Sequence, residues 1–212
     1  MSWRVCALLA AGLVAGIAYG RVTQDPDTGT ATWDAARAAG FAGYLLLWAS
    51  TVLGIGVHFR LRPGGGPLTL FLEAHRICST LALSFVAGHV AALLMDPVVH
   101  FSPVDAVLPF TSGYRPIQVG IGTIGLWLLL VTLGSTAVAG RIPYAKWRAL
   151  HYLAFPCYLA ALVHGITAGT DTSSTAALTI YAATAAATAA VLFGRVLGRG
   201  WVAAGEASSP VR

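Results

Sequence analysis

Apolar residues gather along this chain in six stretches, at roughly 3–20, 38–58, 68–95, 117–139, 149–168 and 175–195. Each is close to the ~20 apolar residues that carry a helix across a bilayer. None alternates with a period of two, which removes the closed β-barrel as the other way to satisfy a backbone in lipid. The pattern predicts an all-α membrane protein, a bundle of six spans. Polar and turn-forming residues fall between the runs. Pro63-Gly64-Gly65-Gly66-Pro67 separates the second span from the third. Four prolines (Pro97, Pro103, Pro109 and Pro116) exclude a span between the third and fourth. That segment keeps Val98, Val99, Phe101, Val104, Val107, Leu108 and Phe110, so it is expected to lie as a cap on one face. Residues 1–199 are read as the membrane domain and 200–212 as a disordered cytoplasmic tail. The first run ends in a small-x-small sequence, Ala18-Tyr19-Gly20. Its length favours an uncleaved anchor over a signal peptide.

Composition supports lipid as the solvent. Hydrophobic residues make up 57% of the 212 and charged residues 10%, against about 25% charged in an ordinary soluble domain. The net charge of +5 is a topology signal rather than a nucleic-acid surface. Arg4, Arg60, Arg62, Arg141, Lys146, Arg148, Arg195, Arg199 and Arg212 fall on one side of the six spans, and only Arg21, Arg37 and Arg115 on the other. The positive-inside rule puts both termini in the cytoplasm, in a bacterial inner membrane.

Four of the six histidines lie within two spans, where ionisable groups are costly and mark function. His75 and His89 are 14 residues apart in the third span, and His151 and His164 are 13 apart in the fifth. At ~1.5 Å per residue the members of each pair differ in depth by about 20 Å. The two spans run in the same direction, so His75 faces His151 near the cytoplasm and His89 faces His164 near the outside. Each level pair offers two imidazole nitrogens to one iron, with haem between helices 3 and 5. A zinc or copper site is disfavoured, because its ligands must converge on one ion. One feature resists: at 100° per residue, 14 positions return to within about 40° of the starting face, but 13 miss by about 140°. Pro156 lies between His151 and His164 and is expected to distort that helix; either this corrects part of the phase or the two haems approach the fifth span from different sides.

Arg76 follows His75 into the span and is a candidate partner for the inner haem propionates, with Arg60, Lys146 and Arg148 nearby. Arg115 is the candidate for the outer haem. His58 and His100 read as an interfacial and a loop histidine. Cys6, Cys78 and Cys157 form no C-x-x-C pair, and no C-x-x-C-H sequence is present for covalent haem. Gly120-Ile121-Gly122-Thr123-Ile124-Gly125 matches G-x-G-x-x-G but lies inside an apolar span, without the strand and acidic residue of a dinucleotide site. Small-residue helix packing is its expected role.

His75-Arg76 with His89, then Trp147-Arg148-Ala149-Leu150-His151 with His164-Gly165, resembles the ferric reductase-like transmembrane domain superfamily. That group includes NADPH oxidases, ferric-chelate reductases and the haem subunit of methionine-sulfoxide reductase systems. The resemblance covers about residues 38–195, and the 14 and 13 spacings equal those of two-haem NADPH oxidases. Asp105-Ala-Val-Leu-Pro-Phe, Ser112-Gly-Tyr-Arg-Pro and His164-Gly-Ile-Thr-Ala-Gly-Thr-Asp-Thr look like its stand-alone bacterial members. The resemblance implies two haem b groups, held by His75 and His151 and by His89 and His164. It also implies a transmembrane oxidoreductase that passes electrons outward to ferric chelate, oxygen, quinone or a partner protein. No flavin domain is expected in the chain, so flavin would come through a partner, a cytoplasmic NAD(P)H reductase or FMN protein. The alternatives are a quinone-linked cytochrome b subunit, a histidine-based proton channel or transporter, and a structural anchor subunit.

Overall fold

A computed structural model describes residues 30–58 and 67–207, with side chains to residue 194. Seven α-helices follow in order among these residues: α1 (Ala31–His58), α2 (Leu68–Leu94), α3 (Pro103–Val107), α4 (Pro116–Ala137), α5 (Tyr144–His151), α6 (Ala154–Ala168) and α7 (Thr175–Ala207). Short 3-10 turns at Ala139–Arg141 and Thr170–Ser173 join them. Five stretches are long and apolar enough to cross a membrane: α1, α2, α4, the α5–α6 pair, and Thr175–Gly194 of α7. The expected first span, residues 3–20, lies outside the described residues, as do Arg60 and Arg62. α7 continues to Ala207, so no helix end marks the boundary expected at residue 200. Residues 208–212 lie outside the description.

Two antiparallel hairpins build the bundle. In the first, Asp96, just past the end of α2, accepts from the hydroxyls of Thr30 and Thr32 at the start of α1. In the second, the Arg115 guanidinium at the head of α4 donates to the carbonyls of Thr167 and Ala168 at the end of α6. α1 packs along α2, and α4 packs along α6. The hairpins meet through α1 against α6, and α7 closes the side next to α1 and α6. Tyr44, Tyr158 and Tyr181 fill that junction with Phe41 and Trp48. The Tyr44 hydroxyl pairs with Thr184 Oγ1 at 2.5 Å, and the Trp48 indole donates to the Thr184 carbonyl. Hydroxyls elsewhere in the spans bond back to carbonyls four residues earlier, as Thr51 does to Leu47 and Thr132 to Leu128. Small polar side chains are thereby satisfied within their own helix.

The proline-rich cap is docked, not splayed. Pro103 opens α3, and Ser102 and Asp105 form a reciprocal capping box. Thr123 of α4 donates to the Asp105 carbonyl, and the Trp127 indole donates to that of Val107. Phe110, at φ 68°, turns its ring onto Gly120, where a Cβ would come within 2.2 Å of the ring. Gly125 of the same G-x-G-x-x-G run lies against Ala160 of α6, so small-residue helix packing accounts for Gly125, while Gly120 makes room for the cap.

Asp96 ties this end together. Burial pushes its carboxyl up, but the Thr30 and Thr32 hydroxyls and the Val98 and Val99 amides overcome this and hold it at about 2, against an ordinary 3.8. The depressed carboxylate contributes stability above its unfolded pKa, and that contribution is lost as pH falls from about 4 through 2. Asp105, lowered by the Ser102 amide and hydroxyl, titrates in the same direction. Unfolding midpoints in detergent are expected to fall steeply across this window. Asp96→Asn should start from a lower plateau and lose the larger part of the slope. An unchanged pH profile in Asp96→Asn would refute the assignment.

Candidate functional site

The third and fifth predicted spans, now α2 and the α5–α6 pair, lie parallel and bring the four histidines together in two level pairs. His75 and His151 have ring centroids 6.0 Å apart with their planes at 72°. His89 and His164 are 6.2 Å apart with planes at 79°. All four rings are half-buried.

The missing phase in the fifth span is supplied by a break just before Pro156. α5 ends at His151 and α6 begins at Ala154. Between them, Leu153 N–H donates to Leu150 and Phe155 N–H to Tyr152, bonds that span three residues rather than four. Winding at three residues per turn adds about 20° and about 0.5 Å per residue over an α-helix. Over about four residues this recovers about 80° of rotation and about 2 Å of rise. The 13-residue spacing then covers about 21 Å, the same as 14 residues of straight helix.

Three of the four imidazoles are anchored through Nδ1 on a backbone carbonyl. His75 Nδ1 lies 2.8 Å from the Ser50 carbonyl and 3.1 Å from the Ser50 hydroxyl. His89 Nδ1 is 2.7 Å from the Ala36 carbonyl, and His164 Nδ1 is 2.8 Å from that of Gln118. In each case the residue four positions beyond the accepting carbonyl is a glycine, and the ring rests on it. A Cβ on Gly54 would stand 3.1 Å from the His75 ring, one on Gly40 2.9 Å from His89, and one on Gly122 2.7 Å from His164. Glycine lets each ring reach a helix backbone that a side chain would cover. The carbonyl fixes the Nδ1–H tautomer and leaves the Nε2 lone pair for a metal, an arrangement typical of metal-bound histidine. His151 is the exception, with Nδ1 3.5 Å from Thr136 Oγ1. Trp147 stacks on its ring at 5.1 Å and 24°.

Iron fits this geometry. With each metal–nitrogen bond about 2 Å long and each ring centre about 1.1 Å behind its nitrogen, two imidazoles on one ion stand about 6.2 Å apart. Among the described residues no cluster of three or more metal-ligating side chains occurs. Two imidazoles would suffice for haem, whose porphyrin supplies the other nitrogens; His75 with His151 and His89 with His164 would hold it. A cavity at the cap end reaches both His89 and His164, with Trp33, Arg37, Tyr114 and Asp171 also on its wall.

Arg76 and Arg115 both lie off that cavity wall. Arg76 pairs with Glu73 at 3.1 Å, its side chain 66% exposed; as the next residue on α2 it points about 100° away from His75. Arg115 is exposed and is spent on the carbonyls that end α6. The cation on the cavity wall is Arg37, which the sequence reading used only for topology. It forks onto the Asp171 carboxylate and holds Asp34 Oδ1 at 3.1 Å. The other Asp34 oxygen is buried without a hydrogen-bond partner. Gly40, Gly54, Gly122 and Thr136 were also missed. The signal available was their spacing, 14 residues within each supporting helix, equal to that of His75 and His89.

Residues 39–162 match the family described as ferric reductase like transmembrane component. The chain belongs to that family. The match takes in His75, His89 and His151 and ends two residues short of His164. This ferric reductase-like chain is therefore a multi-pass membrane protein with a transmembrane electron-transfer domain. No curated protein and no solved structure matches it.

Proposed function

We propose that this chain is a dihaem b cytochrome that carries electrons across the bilayer from a cytoplasmic reductase to an acceptor outside. The observation that supports it best is the pair of imidazole couples. Each brings two imidazole rings to about 6 Å, a separation that one iron would bridge, and the couples lie about 21 Å apart in depth. Haem b, when bound, supplies the one-electron chemistry. The protein's own contribution is to present four Nε2 atoms, fix their tautomers through Nδ1, and keep both sites within an apolar bundle. His75 and His151 hold the group nearer the basic end, and His89 and His164 the group under the cap.

Arg141, Lys146 and Arg148 are exposed at the α5 end. By the positive-inside rule that end is cytoplasmic. Its positive charge favours an acidic or phosphate-bearing donor, such as a flavin reductase or an FMN protein. The outer acceptor approaches from the cap side, where Arg37, Trp33 and Tyr114 line the cavity beside His89 and His164.

Protein purified from haem-sufficient cells is expected to contain two haems per polypeptide by pyridine haemochrome. His151→Ala and His164→Ala should each reduce that number to one. A preparation without a Soret band, or single variants that keep both haems, would end this reading.

A further inference from the structure

Three of the four histidine anchors are one repeated device: a glycine at one position and an accepting carbonyl four residues earlier. The pairs are Gly40 with Ala36 and Gly54 with Ser50 on α1, and Gly122 with Gln118 on α4. The fourth position in this series is Thr136, 14 residues after Gly122, and the matching carbonyl is that of Thr132. That carbonyl is already occupied. Thr136 Oγ1 donates to it at 3.0 Å and Ser135 Oγ at 2.8 Å. With its proton committed there, the Thr136 hydroxyl meets His151 Nδ1 only as an acceptor, at 3.5 Å. This is longer than a normal N–H···O bond, and the other three rings have their carbonyls at 2.7 or 2.8 Å.

A strong hydrogen bond from Nδ1–H makes an imidazole a better electron donor to the metal, and second-sphere bonds of this kind tune reduction potential. We propose that Thr136 is a positioning residue. By holding His151 on a hydroxyl instead of a carbonyl, it raises the reduction potential of the group bound by His75 and His151 above what a fourth glycine anchor would set. The proposal rests on the dihaem reading above. It concerns one site only, since His89 and His164 keep their carbonyls.

The test is potentiometric titration of the visible haem bands in the purified haem-loaded protein, with His164→Ala identifying the component that belongs to His75 and His151. Thr136→Gly removes one of the two donors on the Thr132 carbonyl, leaving Ser135 on it, and opens the space before it; this is expected to move that component to lower potential while the other stays in place. Thr136→Ser keeps the hydroxyl and is expected to titrate as wild type. Thr136→Val removes the acceptor and is expected to move the same component upward. Thr136 is next to the last residue of α4, so glycine there costs the helix little. Should Thr136→Gly not accumulate, the contrast between an unmoved serine variant and an upward-shifted valine variant carries the test. An unmoved component in Thr136→Gly or Thr136→Val, an equal shift at both sites, or a serine variant that shifts like glycine would overturn it. A wild-type protein without two haems would instead remove the reading beneath it.

Discussion

Gly122→Ala is expected to cost the protein the haem proposed for His89 and His164 while leaving the other in place. A Cβ there would stand 2.7 Å from His164 Nδ1 and 2.8 Å from Cε1, distances that real Cβ atoms do not show. The ring has nowhere to retreat without leaving the Gln118 carbonyl that fixes its tautomer. The ring would then shift from its place beside His89, and a metal site tolerates only a few tenths of an ångström of such error. Haem per polypeptide should fall from two to one, with the remaining spectrum resembling that of His164→Ala. Gly134→Ala is the matched control on the same helix, because nothing stands within 4 Å of its Cβ. It should keep both haems and gain up to about 1 kcal/mol of helix stability. Full haem content in Gly122→Ala would show that the close approach does not hold the ligand.

Arg37→Ala is expected to be the most destabilising change at the cap end. Its guanidinium is 18% exposed and lies between Asp34, 7% exposed, and Asp171, 25% exposed. Removing it leaves two poorly hydrated carboxylates facing each other, a loss of about 3–5 kcal/mol for a buried ion pair broken from one side. The bond from Arg37 to Asp171 also fixes the turn that leads into α7, so the opening of the α1–α7 seam should accompany the loss. The unfolding midpoint in detergent should drop by several degrees. Arg37→Lys should recover only part of it, since an ammonium cannot fork onto Asp171 while reaching Asp34. Arg115→Ala removes an exposed helix-end contact and should cost at most about 1 kcal/mol. If Arg115→Ala proves the more damaging of the two, the roles assigned to these arginines are reversed.

The histidines were legible in the sequence because lipid makes an ionisable side chain conspicuous and because a span has a known rise. Depth and direction then paired His75 with His151 and His89 with His164. The glycines beneath them were not legible. With 24 glycines in the chain, nothing local separates Gly40, Gly54 and Gly122 from those that merely ease helix contact. Gly122 was visible only as part of a motif shared with Gly120 and Gly125, which serve Phe110 and Ala160 instead. The position of Arg115 has a backbone reason. Arg115 adopts φ 43° and ψ 63° as α4 begins, and this left-handed turn sends its side chain to the end of α6. Arg37 sits one turn before Gly40 on α1, a relation that matters only once the ring of His89 is known to rest there. The distortion expected from Pro156 was sound in kind, but its size needed the two short-range bonds beside it.

That tightened turn works as a vernier. α2 and the α5–α6 segment are gauges graduated in unequal counts, and one overwound coil brings their marks into coincidence at both levels. Inserting or deleting a residue between Tyr152 and Pro156 would turn His164 about 100° against His151, so that the two levels could no longer be matched at once, whereas the same edit past Ala168 would leave each mark where it is.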